Sequence, residues 1–203
     1  MHAGVNAAGE GPHGRFFAMQ QRIFALVIGA LAIAAIVLTS LPWAGSGPLG
    51  HGLQWNGFGG ADYGTIEDPT LPVDEIAAAP LGIFVVIAAV AALLAAIAMA
   101  VPALAGPATP LRWVAALFTL VAAAVPITVI LSPQVFLGRS FEAVNAREVL
   151  SDPHYRDLVR ERILEVPTLI ALAVVLVVTA AVCVAAAVTA PSRQVTPEIL
   201  SET

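Results

Sequence analysis

Residues 81–101, "LGIFVVIAAVAALLAAIAMAV", contain no Asp, Glu, Lys, Arg or His. A helix rises about 1.5 Å per residue and the bilayer hydrocarbon is about 30 Å thick, so roughly 20 such residues cross it. A helix this apolar on every side has no face to offer water, and the stretch predicts a membrane span. Three further runs of the same kind lie around it. They are residues 23–41, "IFALVIGALAIAAIVLTSL", residues 113–131, "WVAALFTLVAAAVPITVIL", and residues 166–189, "VPTLIALAVVLVVTAAVCVAAAVT". The whole composition agrees: 59% of the 203 residues are hydrophobic and 11% charged, where a soluble domain carries about a quarter charged. The expected fold is an all-α integral membrane protein, a four-transmembrane-helix bundle over residues 23–189. Loops 42–80 and 132–165 then share one side of the membrane, and the third loop is an amphipathic helix.

Residues 1–22 and 190–203 are short polar tails, expected to be disordered and cytoplasmic. The first apolar run follows Arg15 and Arg22 as a signal peptide would. It exceeds the roughly 7–15 residues of a cleaved signal core and lacks a clear A-x-A site, so it reads as a retained anchor. Prolines 42, 80, 102 and 110 punctuate the span ends, and Pro167 fits the first turn of the fourth. Pro126 falls inside the third span and predicts a packing kink. Ala25, Gly29 and Ala32 share a face of the first span, and Ala88, Ala92 and Ala96 a face of the second. Such faces let helix backbones approach closely where no hydrophobic effect drives association.

All nine basic residues are Arg and the net charge is −5, which offers no basic surface to nucleic acid. Arg in place of Lys, with abundant Ala, Val and Gly, points to GC-rich coding of the actinobacterial kind and hence to a bacterial plasma membrane. Arg15 and Arg22 precede the first span and no Arg follows it until Arg112. That asymmetry places both termini in the cytoplasm. The third loop, with Arg139, Arg147, Arg156, Arg160 and Arg162, votes the other way. Trp43 and Trp113 are expected at opposite membrane interfaces. The single cysteine, Cys183, excludes an intrachain disulfide and any Cys-based metal cluster.

Loop 42–80 is rich in Gly and Pro and has no Arg or Lys. Trp43, Trp55, Phe58 and Tyr63 are interleaved with Asp62, Glu67, Asp68, Asp74 and Glu75. It reads first as an interfacial loop with aromatics at headgroup depth. A second reading is a partner-binding surface, with Trp55 and Tyr63 as contacts. A calcium or zinc site through His51 and the carboxylates lacks any ligand spacing, so no metal and no cofactor are expected. Trp43 with the segment Gly52-Leu53-Gln54-Trp55 resembles the tryptophan and Gly-Leu-Trp elements in the first loop of claudin-type tetraspan proteins. Gln54 interrupts the tripeptide and the loop has no cysteine, so nothing of that family is carried over.

The densest charge lies in "NAREVLSDPHYRDLVRERILEV", residues 145–166. Ser151 or Asp152 can cap a helix there and Pro153 suits its first turn. At helical spacing Tyr155, Leu158, Val159, Ile163 and Val166 form an apolar face running on toward the fourth span. Asp157 can reach Arg160, and Arg162 can reach Glu165, one turn away. A weaker helix over residues 140–150 is expected before it. A balanced polar face suits solvent or a protein partner better than anionic lipid, which prefers a basic one. Tyr155, Arg156, Arg160 and Arg162 are therefore the partner-contact candidates in this loop.

No span carries an acid or histidine that could move protons or ions, and no phosphate-binding, hydrolase or metalloprotease motif occurs. Catalysis is not expected. If a lipid-modifying site existed, His51, Asp62, Glu67, Asp68, His154 and Asp157 would be its candidates. The sequence thus points to a small polytopic membrane protein acting as an accessory, partner-binding subunit of a membrane complex. Its partners would be the bilayer and another membrane protein or a second copy of itself. The alternative is a small transporter or lipid-handling protein acting as an oligomer.

Overall fold

A computed structural model describes residues 12–45, 52–62, 77–101, 104, 107–142 and 153–189. Six helices are present among them: α1 (Pro12–Ser40), α2 (Gly82–Ala100), α3 (Ala108–Leu131), α4 (Gln134–Glu142), α5 (Pro153–Arg162) and α6 (Val166–Val188). Four are long and apolar enough to cross a membrane: α1 from Met19 onward, α2, α3 and α6. By length and hydropathy this is a multi-pass, membrane-embedded chain. The four pack in a ring, α1 on α2, α2 on α3, α3 on α6 and α6 back on α1.

The ring closes tightly because small side chains face inward. Ala88, Ala92 and Ala96 of α2 are buried, as are Ala25 and Ala32 of α1, as their spacing predicts. In α6, Leu169, Leu172, Leu176, Thr179 and Cys183 recur every three or four residues and all are buried. Large apolar side chains point outward instead: Leu26, Phe84, Leu117 and Val121 are all exposed. That inside-out pattern is stable only where the surroundings are as apolar as the side chains.

Helix ends differ from the apolar runs. α1 begins at Pro12, so residues 12–22 are helical rather than a disordered tail, and α3 begins at Ala108. Both extensions are amphiphilic residues that hydropathy alone does not assign to a span. Residues 1–11 and 190–203 lie outside the described part. Pro126 lies buried within α3, which runs through it to Leu131. A helix not expected from the sequence spans Gln134–Glu142, and of the helix expected over residues 140–150, residues 143–150 lie outside the described part.

Where it is described, the first loop forms a small sheet. Strands β1 (Pro42–Gly45), β2 (Gln54–Asn56) and β3 (Ala61–Asp62) form an antiparallel sheet in that order. Ala44 forms a further bridge with Leu164, so the segment entering α6 lines up beside β1. The amphipathic helix therefore stops at Arg162 instead of running into the fourth span. Its last turn gives way to extended backbone because that backbone pairs with the first loop.

Candidate functional site

Sheet, α4 and α5 form a cap over one end of the bundle, here termed the loop end; α1 begins and α6 ends at the other, here termed the terminal end. The cap is built on the C-terminus of α1. The last carbonyls of a helix have no partner within it, and near a membrane they must find one. Here Trp43 donates its indole Nε1–H to the carbonyl of Leu38 at 3.1 Å, and the Gly57 amide donates to that of Thr39 at 3.0 Å. Trp43 is the extra residue where the β1–β2 register shifts between Pro42 and Ala44. A bulge of this kind re-aims a side chain. The ring is fully buried, with Phe136 of α4 tilted against it at 5.5 Å between centroids. Trp43 is thus a core residue and not a headgroup anchor, whereas Trp113 is half-exposed at the start of α3.

Glycines make this approach possible. A Cβ at Gly57 would lie 2.5 Å from the Trp43 ring, and one at Gly82 would strike the Thr39 methyl and the Gly57 carbonyl. Gly59 has φ of +79°, a region that side chains disfavour, in the Asn56–Gly60 turn. That turn is closed by Asn56 Oδ1, which accepts from the amides of Phe58 and Gly60 at 3.0 and 3.2 Å. Glycine is therefore a packing requirement at Gly57 and Gly59 in the loop and at Gly82, where α2 begins.

Loop three is stitched to loop one by backbone. Gly45 N–H donates to the Ile163 carbonyl at 2.7 Å, and Glu165 N–H to the Trp43 carbonyl at 2.9 Å. Val159 and Ile163 of the predicted apolar face are buried, but Leu158 is exposed. Arg160 is drawn inward. Its Nε–H donates to the Ile130 carbonyl at 3.0 Å, which caps the C-terminus of α3 with a cation. Its guanidinium also lies 3.7 Å from Asp157, the ion pair expected from spacing. The opposite end carries the counterpart. Arg112, only 2% exposed, donates from its guanidinium to the Ala186 carbonyl near the C-terminus of α6 at 2.8 Å. Its Nε is buried without an acceptor among the described residues.

The sequence-derived contact candidates separate into distinct settings. Trp55 is 5% exposed in β2, so most of its area is turned inward. Arg160 is committed to Ile130. Arg162 is exposed at the end of α5, beside exposed Glu161. Tyr155 and Arg156 lie within α5, but their side chains, like all of Tyr63, fall outside the described part. Of the catalytic candidates, Asp62, His154 and Asp157 are exposed, while His51, Glu67 and Asp68 lie outside the described part. Among the described residues no three His, Cys, Asp or Glu side chains gather as a metal site would require.

Polar side chains buried among the described residues are Thr39, Arg112, Thr119 and Thr179. Each threonine hydroxyl donates to the carbonyl four residues earlier in its own helix, at 2.7–2.8 Å. Sequence reasoning missed the interior roles of Trp43, Arg112 and Arg160. Arg112 and Arg160 had a signal available, since each stands near a helix end where a neighbouring helix must terminate. No family model matches this chain, and neither curated proteins nor solved structures show a significant match to it.

Proposed function

We propose that this chain is a non-catalytic accessory subunit of a larger membrane complex and docks its partner on the cap. The proposed setting is the bacterial plasma membrane with both termini in the cytoplasm. One observation carries the reading. Helix α5 is fixed from below by Val159, Ile163 and Arg160, yet turns Asp157, Glu161 and Arg162 outward as a rigid mixed-charge surface. A preorganised polar surface recognises a partner by complementary charge at little ordering cost. The alternative, a transporter or lipid-handling oligomer, needs a polar path. The buried threonines described here already spend their hydroxyls on their own helices, which favours the accessory reading.

The test is purification of the tagged full chain from its native membrane in mild detergent. A stoichiometric partner is the expected result. Charge reversal at Glu161 and Arg162, which are exposed and outside the capping contacts, should release that partner without loosening the bundle. Recovery of the protein alone, or only with itself, would overturn the accessory reading.

A further inference from the structure

The seam between α1 and α2 opens, at the terminal end, into a groove of about 470 Å³ lined by Arg22, Ala25, Gly29, Leu93, Ala96 and Ala100 among others. That lies within the roughly 300–1,000 Å³ typical of ligand sites. Arg22 stands near the start of the apolar part of α1, is exposed, and makes no hydrogen bond or ion pair among the described residues. Gly29 lies about 10 Å deeper along the same helix at the usual rise per residue. A Cβ there would meet nothing within 4 Å. Gly57 and Gly82 are glycines because neighbours crowd them; Gly29 has no neighbour to accommodate. The space beside Gly29 is therefore part of the open groove.

We propose that this groove holds one acyl chain of an anionic phospholipid from the leaflet on the terminal side, with its phosphate against Arg22. A guanidinium at the rim matches a phosphate in geometry and charge. Below the rim the remaining lining is wholly apolar. One anionic head over an apolar tail is the chemistry that fits both parts. A wholly apolar transmembrane helix laid in the groove would bring no anion to Arg22.

The experiment is native mass spectrometry of the full chain, released from mild detergent after incubation with equimolar phosphatidylglycerol and phosphatidylcholine. One retained lipid per protein is expected, with phosphatidylglycerol preferred about fivefold, as one surface cation provides. Arg22→Gln should abolish the preference while keeping an adduct. Gly29→Leu should remove adducts of both lipids, with Gly29→Met as the unbranched companion should leucine lower the melting temperature. Equal retention of the two lipids by the wild type would overturn the proposal. So would a preference that survives Arg22→Gln, or an adduct that survives both Gly29 variants. A dimer that the Gly29 variants dissociate would assign the groove to a second copy of the chain instead.

Discussion

At the loop end, the final carbonyls of α1 meet an indole N–H and a glycine amide, and one of α3 meets Arg160. At the terminal end, a carbonyl of α6 meets Arg112. The two arginines serve the same purpose in unlike surroundings. The Arg160 side chain is 37% exposed and shares its charge with Asp157, whereas Arg112 is buried with an Nε unpartnered among the described residues. The loop end distributes helix capping over a folded unit with access to water. The terminal end sets beside the exposed Thr189 hydroxyl, which donates to the Ala185 carbonyl, a buried guanidinium held in apolar surroundings. Losses at the loop end should therefore depend on packing, and losses at the terminal end on one hydrogen bond weighed against the desolvation of one charge.

Substitutions can break this contrast, and thermal unfolding in mild detergent reads each one. Trp43→Ala should have the largest effect, a loss of about 3–5 kcal/mol, because it empties the centre of the cap and uncaps Leu38 together. Gly57→Ala should cost about 1–3 kcal/mol through overpacking against the Trp43 ring. A neutral Gly57→Ala would mean that the ring has room to move and the cap is looser than its geometry. Arg112→Met should cost about 1–3 kcal/mol by leaving the Ala186 carbonyl unpaired. A more stable Arg112→Met would instead show that burying the guanidinium outweighs its hydrogen bond, as buried charges can. Arg160→Gln should lose about 0.5–1.5 kcal/mol, since water can replace it. If it cost more than Arg112→Met, the distinction between a wet end and a dry end would fall. Arg162→Ala should stay within about 0.5 kcal/mol of wild type, as exposed positions do.

The spans were legible because hydropathy is a sum over some twenty residues, and no local feature competes with it. The inward faces of Ala88, Ala92 and Ala96 were legible from period alone. The cap was not. Its strands are four, three and two residues long, too short for any alternation to register, and they exist through pairing with distant chain. For Arg112 and Arg160 the position near a helix end was legible, but the partner was not. Their acceptors are backbone carbonyls 74 and 30 residues away in sequence, and a carbonyl has no identity in a sequence. The exposed face of α5 was partly legible: the Asp157–Arg160 pair follows from spacing, but the inward turn of Arg160 depends on where α3 ends.

The pairing of Trp43 and Gly45 with Ile163 and Glu165 also bears on how the protein is made. Loop one leaves the ribosome early, whereas its partner strand emerges only as the last span is about to enter the membrane. Until then the Trp43 carbonyl lacks the Glu165 amide and the Gly45 amide lacks the Ile163 carbonyl, so the cap is without its backbone stitch. Closure of the cap is therefore a late event that registers the arrival of the fourth span. A chain truncated before Ile163 should leave the Gly45 amide open to hydrogen exchange that the full chain resists, which makes that amide a built-in marker of complete assembly.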